Sequence, residues 1–252
     1  MTTSIRLYVR TSLAAGAAIE CDAPQVRYLR TVMRRTTGDP VLLFNGRDGE
    51  WQATVETAAK DRLRLVCQSC TRTQDAAADI WLAFALLKRD ATDLAVRQAT
   101  ELGVARIIPV VTDHGQAIRV NADRLMAIAT EAAEQSERLT LPAIDQPVRL
   151  TELLALWPRD RPLYAAIERL GPGSAAAPIP HDPRRGLLVG PEGGFSAQER
   201  ALLLRHPAVR ALSLGPCVLR AETAIVAGLA RLLCSDAEHG TAAPLPPSAG
   251  DR

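Results

Sequence analysis

Short apolar runs alternate with amphipathic, alanine- and leucine-rich stretches from residue 80 onward. The apolar runs have the length of buried strands, and the stretches between them have the period of helices. We predict helices at residues 90–103, 121–138, 197–206 and 220–234, and strands at Ile80–Leu87, Val104–Val111, Leu163–Ile167, Leu187–Val189 and Val209–Leu214. Such alternation predicts an α/β domain with a parallel sheet.

The first part of the chain has the shorter period of strands. We predict strands at Ile5–Val9, Asp39–Phe44, Glu50–Thr57 and Arg62–Ser69, with a hairpin connection at Asn45-Gly46 and Asp48-Gly49. The pattern indicates a small β domain over residues 1–72, a polar linker at 73–79 and the α/β domain at 80–236. Residues 237–252 lack a core-forming pattern, and we expect them to be disordered.

Two glycine-proline turns follow strands near the C-terminus, at Gly190–Gly194 and at Gly215-Pro216. At least one of the three glycines in the first turn is expected to have a positive φ. Ser196 and Glu199 then form the sequence pattern of a capping box. Since ligands bind at the carboxyl edge of parallel sheets, the two turns indicate one site built from backbone. The alternative is that the glycines serve the geometry of a tight connection only.

Arg220 and Glu222 lie where the last predicted helix begins. An arginine offers a rigid fork of donors, and a helix N-terminus favours negative charge. These two residues are therefore candidates for side-chain chemistry beside the glycine turns. The alternative is a surface arginine with a glutamate that compensates the helix dipole.

The net charge of +2 hides an asymmetry between the two parts of the chain. Residues 1–74 carry 11 Lys and Arg against 7 Asp and Glu, or +4, and residues 75–252 carry 19 against 21, or −2. Four arginines lie close together, and a helix would place the first three on one face: Arg27, Arg30, Arg34 and Arg35. A basic stripe fits a phosphate backbone, although an ordinary solvated face has the same pattern.

Cysteine content and hydropathy limit the class of protein. The five cysteines are an odd number, and Cys67-x-x-Cys70 has no second pair with which to complete a zinc site. We therefore expect reduced thiols, no metal and a cytoplasmic location. No run of eighteen apolar residues occurs and the N-terminus lacks the pattern of a signal peptide, so we expect no membrane partner.

Five segments together resemble one known family. They are GPEGGFSAQE, LGPCVLRAETA, Leu86–His114, Ala129–Ile144 and Val26–Gly46. In their order along the chain these segments are similar to the ribosomal RNA small subunit methyltransferase E family of the SPOUT superfamily, which methylates N3 of a uridine in 16S rRNA. The resemblance implies a trefoil-knotted methyltransferase domain after a PUA-like β-barrel, with S-adenosylmethionine as methyl donor. It also implies a homodimer that acts on 16S rRNA or the small subunit, and not on DNA.

The resemblance also implies roles for individual residues. The cofactor would lie against Leu86, Thr112, Val189, Gly190, Pro191, Glu192, Gly193, Leu214, Gly215, Val218, Leu219 and Ala224. The RNA would be held by Arg6, Arg27, Arg30, Arg34 and Arg35. Arg220 would stabilise negative charge on the uracil or hold a phosphate, and Glu222 would either accept the N3 proton or fix Arg220 by a salt bridge.

Three positions depart from the family pattern. Cys217 replaces an arginine, His114-Gly115 replaces Arg-Ser, and Arg27 replaces a histidine. The first two replacements are expected to affect substrate binding more than cofactor binding. A non-catalytic RNA-binding assembly factor that keeps the fold is therefore the alternative function. A Rossmann-type methyltransferase is disfavoured because no glycine-rich loop follows the strand that ends at Leu87.

Overall fold

The computed structural model describes residues 5–59, 61–75, 79–116, 120–167, 179 and 182–237. The chain forms two compact units. The first comprises Met1–Ala78, Val96–Ala105 and Asn121–Ile144, and the second comprises Asp79–Ala95, Arg106–Val120 and Asp145–Arg252. Because neither unit is one continuous stretch, the domain limits predicted from the sequence stay a prediction. Of the tail predicted to be disordered, residues 238–252 lie outside the described residues.

A five-stranded sheet is the framework of the first unit. Its strands are β1 (Arg6–Tyr8), β2 (Ala18–Glu20), β3 (Pro40–Phe44), β4 (Glu50–Ala59) and β5 (Arg62–Arg72). They lie in the order β1, β3, β4, β5, β2, with β1 parallel to β3 and the other neighbours antiparallel. Alternate residues such as Leu63 and Leu65 point into a common core, as the period of a strand requires.

Two capped helices belong to the first unit. Helix α1 (Ala23–Arg27) begins at a capping box formed by Asp22 and Gln25, and it continues directly into a π-helical turn, Tyr28–Val32. Helix α2 (Arg89–Glu101) is divided between the units: residues 89–95 belong to the second unit and residues 96–101 to the first. Helix α3 (Ala122–Gln135) has the predicted N-cap, Asn121, and strand β8 (Ala143–Ile144) follows it.

A parallel sheet is the framework of the second unit. Its elements are β6 (Asp79–Ala85), β7 (Arg106–Val111), β9 (Val148–Arg149), α4 (Leu150–Leu156), β10 (Leu163–Ala166), β11 (Arg184–Val189), α5 (Ala197–Arg205), β12 (Val209–Leu212) and α6 (Ala221–Ala237). The strands lie in the order β12, β10, β11, β6, β7, with β9 also paired to β7, and all these pairs are parallel. The late strand β11 is thus inserted between β10 and β6.

Close packing joins α6 to the middle of this sheet. A Cβ atom on Gly228 of α6 would lie 2.8 Å from the side chain of Leu187 on β11. That separation is shorter than real Cβ contacts, so only glycine lets the helix approach the strand this closely. Leu187, Ile225 and Leu229 are each 0 % exposed. The helix that carries Arg220 at its start is therefore held firmly on the sheet.

The prediction of a parallel α/β fold preceded by strands is confirmed, with errors at particular elements. Strand β2 and helix α4 were not predicted, and β12 ends at Leu212 rather than Leu214. All five cysteines are free, and the expectation of reduced thiols stays a prediction. Within the described part of the chain, no helix is both long and apolar enough to cross a membrane.

Candidate functional site

Four segments of the second unit leave the sheet at its carboxyl edge. Because all the strand pairs are parallel, the residues after β6, β7, β11 and β12 emerge on the same side. These residues begin at Leu86, Thr112, Gly190 and Ser213 respectively. The strands β11, β6 and β7 are direct neighbours. Topology therefore brings together the segments from which the sequence predicted a cofactor site.

The turn after β11 depends on two of its glycines. The amide of Gly194 donates to the carbonyl oxygen of Pro191 at 2.8 Å, and Gly194 has a φ of 69°. The predicted positive φ is thus confirmed at one of the three glycines. At Gly190 a Cβ atom would lie 3.0 Å from the ring of Phe195, so a side chain there would press on that ring. Pro191 is buried, whereas Glu192 and Gly193 are exposed.

A carboxylate brace joins this turn to the end of β7. Glu199 is 6 % exposed, and its two oxygens accept from the amide of Asp113 and from the amide of Ser196, both at 2.9 Å. The Ser196 hydroxyl donates to the Asp113 carboxylate at 2.5 Å. The predicted capping box is confirmed, and it also fixes a second segment. We call Asp113, Ser196 and Glu199 the brace.

The segments after β6 and β7 are tied to each other. Leu86 donates its amide to Val110 at 2.9 Å and accepts from the amide of Gln116 at 3.0 Å. Thr112 is 8 % exposed, and its Oγ1 is a buried oxygen with no hydrogen-bond partner in the described part of the chain. A buried hydroxyl without a partner costs free energy, which a polar ligand group would recover. His114 lies with Nδ1 3.1 Å from the carbonyl oxygen of Gly194.

The segment after β12 carries the two candidate catalytic residues. Arg220 is exposed and accepts the amide of Ala224 on its carbonyl oxygen at 2.8 Å, as the residue before a helix does. Glu222 is half-buried, and its Oε2 is a buried atom without a hydrogen-bond partner among the described residues. Both side chains are described, and no ion pair joins them, so the salt-bridge role is not seen. Val218 is 60 % exposed, and Cys217 is also exposed.

The predicted RNA-binding arginines separate into two groups. Arg27 and Arg34 are exposed, and the partly exposed Arg30 donates to the carbonyl oxygen of Ala59. Arg34 has a φ of 54° and lies beyond the π-helical turn, so the expectation of one helical face through Arg34 was wrong. The helix ends before Arg34 because the backbone of Arg34 lies in the left-handed region, which terminates a right-handed helix.

Arg6 is a structural residue. It is 6 % exposed, and its Nε donates to Glu50 at 2.8 Å. Its other donors reach the carbonyl oxygens of Ala133, Glu134 and Arg138 at the end of α3. The guanidinium is thus hydrogen-bonded to carbonyl oxygens at the end of α3. The prediction that Arg6 contacts RNA was therefore wrong.

Two residues of the site carry no strong signal in the sequence. Asp113 and Glu199 were not predicted as site residues, although the capping-box spacing of Ser196 and Glu199 was a signal for one of them. No group of three or more His, Cys, Asp and Glu side chains within the described ranges is arranged to hold a metal ion.

Two family models and a curated relative match this chain over most of its length. A family model described as an RNA methyltransferase domain matches residues 74–233, and one described as an RNA methyltransferase PUA domain matches residues 22–66. A curated relative from Rickettsia conorii, named ribosomal RNA small subunit methyltransferase E, is 35 % identical over 245 residues, which cover 93 % of this chain and 98 % of the relative.

Two solved structures share the fold over nearly the whole chain. A protein of Legionella pneumophila, solved with the cofactor SAM, has a TM-score of 0.81 at 28 % identity, covering 93 % of this chain and 98 % of the other. A ribosomal RNA small subunit methyltransferase E of Neisseria gonorrhoeae, bound to S-adenosylmethionine, has a TM-score of 0.80 at 27 % identity, covering 92 % and 97 %.

Proposed function

The chain belongs to the ribosomal RNA small subunit methyltransferase E family, and we propose on this basis that it transfers a methyl group from S-adenosylmethionine to N3 of a uridine in 16S rRNA. The observation that carries the proposal is the set of backbone turns at the carboxyl edge of the parallel sheet. The family resemblance drawn from the sequence motifs is confirmed by the matched family models and by the curated relative.

The residues at this edge fit the cofactor. Glu192 and Gly193 are exposed in the Gly190–Gly194 turn, and their backbone groups would read the polar edge of an adenine. The buried Oγ1 of Thr112 offers one more unsatisfied polar atom. When bound, S-adenosylmethionine supplies an electrophilic methyl group, and the protein supplies position and electrostatics. The remaining proposed contacts are Leu86, Val189, Leu214, Gly215, Val218, Leu219 and Ala224.

Two side chains carry the proposed chemistry. Loss of the N3 proton leaves negative charge on the uracil ring, which the exposed guanidinium of Arg220 would stabilise. Glu222 would accept that proton, directly or through a water molecule, because its Oε2 has no other hydrogen-bond partner in the described residues. The base would have to leave its stack to reach these groups.

The basic surface of the first unit is the proposed RNA contact. Arg27, Arg30, Arg34 and Arg35 supply the positive charge that a phosphate backbone requires. The partner would be 16S rRNA or the small ribosomal subunit. A trefoil knot, a homodimer and a cytoplasmic location also belong to this proposal, since family membership implies them.

The alternative function, a non-catalytic assembly factor, has less support. The R. conorii relative is named a methyltransferase, and two structural neighbours hold the methyl donor. Of the departures from the family pattern, His114 contacts the Gly194 carbonyl at the proposed cofactor edge.

The test is calorimetric titration with S-adenosylmethionine, followed by transfer of a tritiated methyl group to small subunits that lack the modification. We expect binding and transfer to one uridine. Binding without transfer would contradict the proposed substrate, with Cys217 and His114 as the first residues to restore to arginine. No binding would favour the assembly factor.

A further inference from the structure

An apolar tip projects from the basic surface of the first unit. We call Val32, Met33 and Arg34 the tip. Val32 is 62 % exposed and Met33 is 36 % exposed, and they follow each other at the end of the π-helical turn. Neither side chain helps to fill the core of the unit. Exposed apolar residues next to one another mark a binding surface more often than isolated ones do.

The backbone holds the tip in a fixed position. The amide of Met33 donates to Tyr28 at 3.0 Å, and the amide of Arg35 donates to Leu29 at 2.8 Å. Leu29 is 0 % exposed, so the turn is anchored in the core immediately beneath the tip. π-Helical turns of this kind occur frequently at functional sites. Val32 and Met33 are therefore presented to a partner by a rigid turn, which lowers the entropy lost on binding.

Positive charge lies in the tip and beside it along the chain. Arg27 and Arg34 are exposed, and Arg30 and Arg35 are partly exposed. The partner must therefore be anionic and must also offer an apolar face. A paired RNA helix offers phosphates, but its base faces are stacked on one another. An unpaired nucleotide offers a phosphate and a free base face together.

We propose that the tip binds an unpaired nucleotide of the RNA, with Val32 and Met33 packed on the face of its base and the arginines on the adjoining phosphates. This inference rests on the proposed function, because it takes RNA as the partner. It adds a preference for single-stranded RNA that phosphate contacts alone do not provide. Apolar side chains make such contacts with unstacked bases in other nucleic-acid complexes.

The test compares two RNA probes in a salt series. A fluorescein-labelled single-stranded RNA of about 12 nucleotides and a blunt-ended RNA duplex of the same strand length are titrated with the full chain by anisotropy. Val32→Ser with Met33→Ser should weaken binding of the single strand about tenfold, leave binding of the duplex unchanged and keep the salt slope. Arg27→Gln with Arg34→Gln should weaken binding of both probes and lower the slope for the single strand by about 1.4, or about 0.7 for each lost phosphate contact.

A matched control uses exposed leucines elsewhere. Leu156 is 74 % exposed and Leu204 is 56 % exposed, and both lie on the second unit. Leu156→Ser with Leu204→Ser should change neither affinity. The proposal is overturned if the Val32 and Met33 variant binds the single strand like the wild type or loses both probes equally. It is also overturned if light scattering shows that the variant dissociates a dimer, because the tip would then be a protein interface.

Failure of this inference can be told apart from failure of the proposed function. Anisotropy measures RNA binding without any chemistry, and methyl transfer is measured separately at saturating RNA. A wild-type chain that prefers the single strand but transfers no methyl group contradicts the proposed function alone.

Discussion

The carboxyl edge of the second unit is built mainly from backbone groups, whereas the basic surface of the first unit is built from side chains. The edge consists of backbone turns placed by strand topology, with a carboxylate brace between two of them. The basic surface consists of long side chains on a short helix and its π-helical turn. A backbone site fails when its geometry changes, whereas a side-chain surface loses affinity one contact at a time.

The two regions also differ in the exposure of their polar groups. At the edge, Thr112 Oγ1 and Glu222 Oε2 are buried without a partner in the described part of the chain. Each such atom costs about 1–3 kcal/mol, which a ligand can recover. At the basic surface, Arg35 Nε is likewise buried without a partner among the described residues, but Arg27 and Arg34 remain in water and keep their hydration. Ligand binding should therefore stabilise the edge through specific contacts and the basic surface through release of counterions.

The largest expected effect is on catalysis at the edge. Arg220→Ala should lower methyl transfer about 10³-fold, because the negative charge on the uracil loses its donor. Affinity for S-adenosylmethionine should stay within about twofold, since the proposed cofactor contacts of the turns are mostly backbone. Single-turnover transfer and calorimetry measure the two quantities. Arg205→Ala, an exposed arginine at the end of α5, is the control. Near-wild-type turnover of the Arg220 variant would remove the assigned role.

Next in size is a change of turn geometry. Gly194→Ala should lower affinity for S-adenosylmethionine about tenfold, because a φ of 69° is strained for alanine and the turn would shift. Gly16 has a φ of 75°, and a Cβ atom at either glycine would have no heavy atom within 4 Å. Gly16→Ala should therefore cost a similar stability, about 1 kcal/mol, without affecting the cofactor. Equal cofactor affinity in the two variants would contradict a backbone-built site.

A smaller effect is expected at the brace. Glu199→Gln leaves one oxygen to serve the amides of Asp113 and Ser196, so one of them loses its acceptor. We expect a loss of about 1–2 kcal/mol in unfolding free energy and about fivefold weaker cofactor binding. Gln25→Ala breaks the other capping box, in the first unit, and should lower stability alone. Thermal unfolding and calorimetry together decide whether the brace positions the cofactor turns.

The sequence predicted the edge better than the basic surface, and the reason is physical. The edge depends on local signals, such as the Ser196 and Glu199 spacing and the glycine at position 194, which act the same way in any fold. The basic surface depends on where a helix ends, and Arg34 in a left-handed conformation is not visible in the charge pattern. Arg6 was misassigned because its partners at the end of α3 are more than a hundred residues away. Asp113 was missed for the same reason, since its link to Ser196 is long-range.

The smallest expected effect separates strain from charge at the tip. Arg34 has a φ of 54°, so Arg34→Gly relieves strain, although the greater freedom of glycine in the unfolded chain offsets part of the gain. We expect about 0.5 kcal/mol more stability together with about threefold weaker RNA binding from the lost phosphate contact. Glu137 has a φ of 58°, and Glu137→Gly should give the stability gain without weaker RNA binding. If both variants bind RNA equally, Arg34 makes no contact with phosphate.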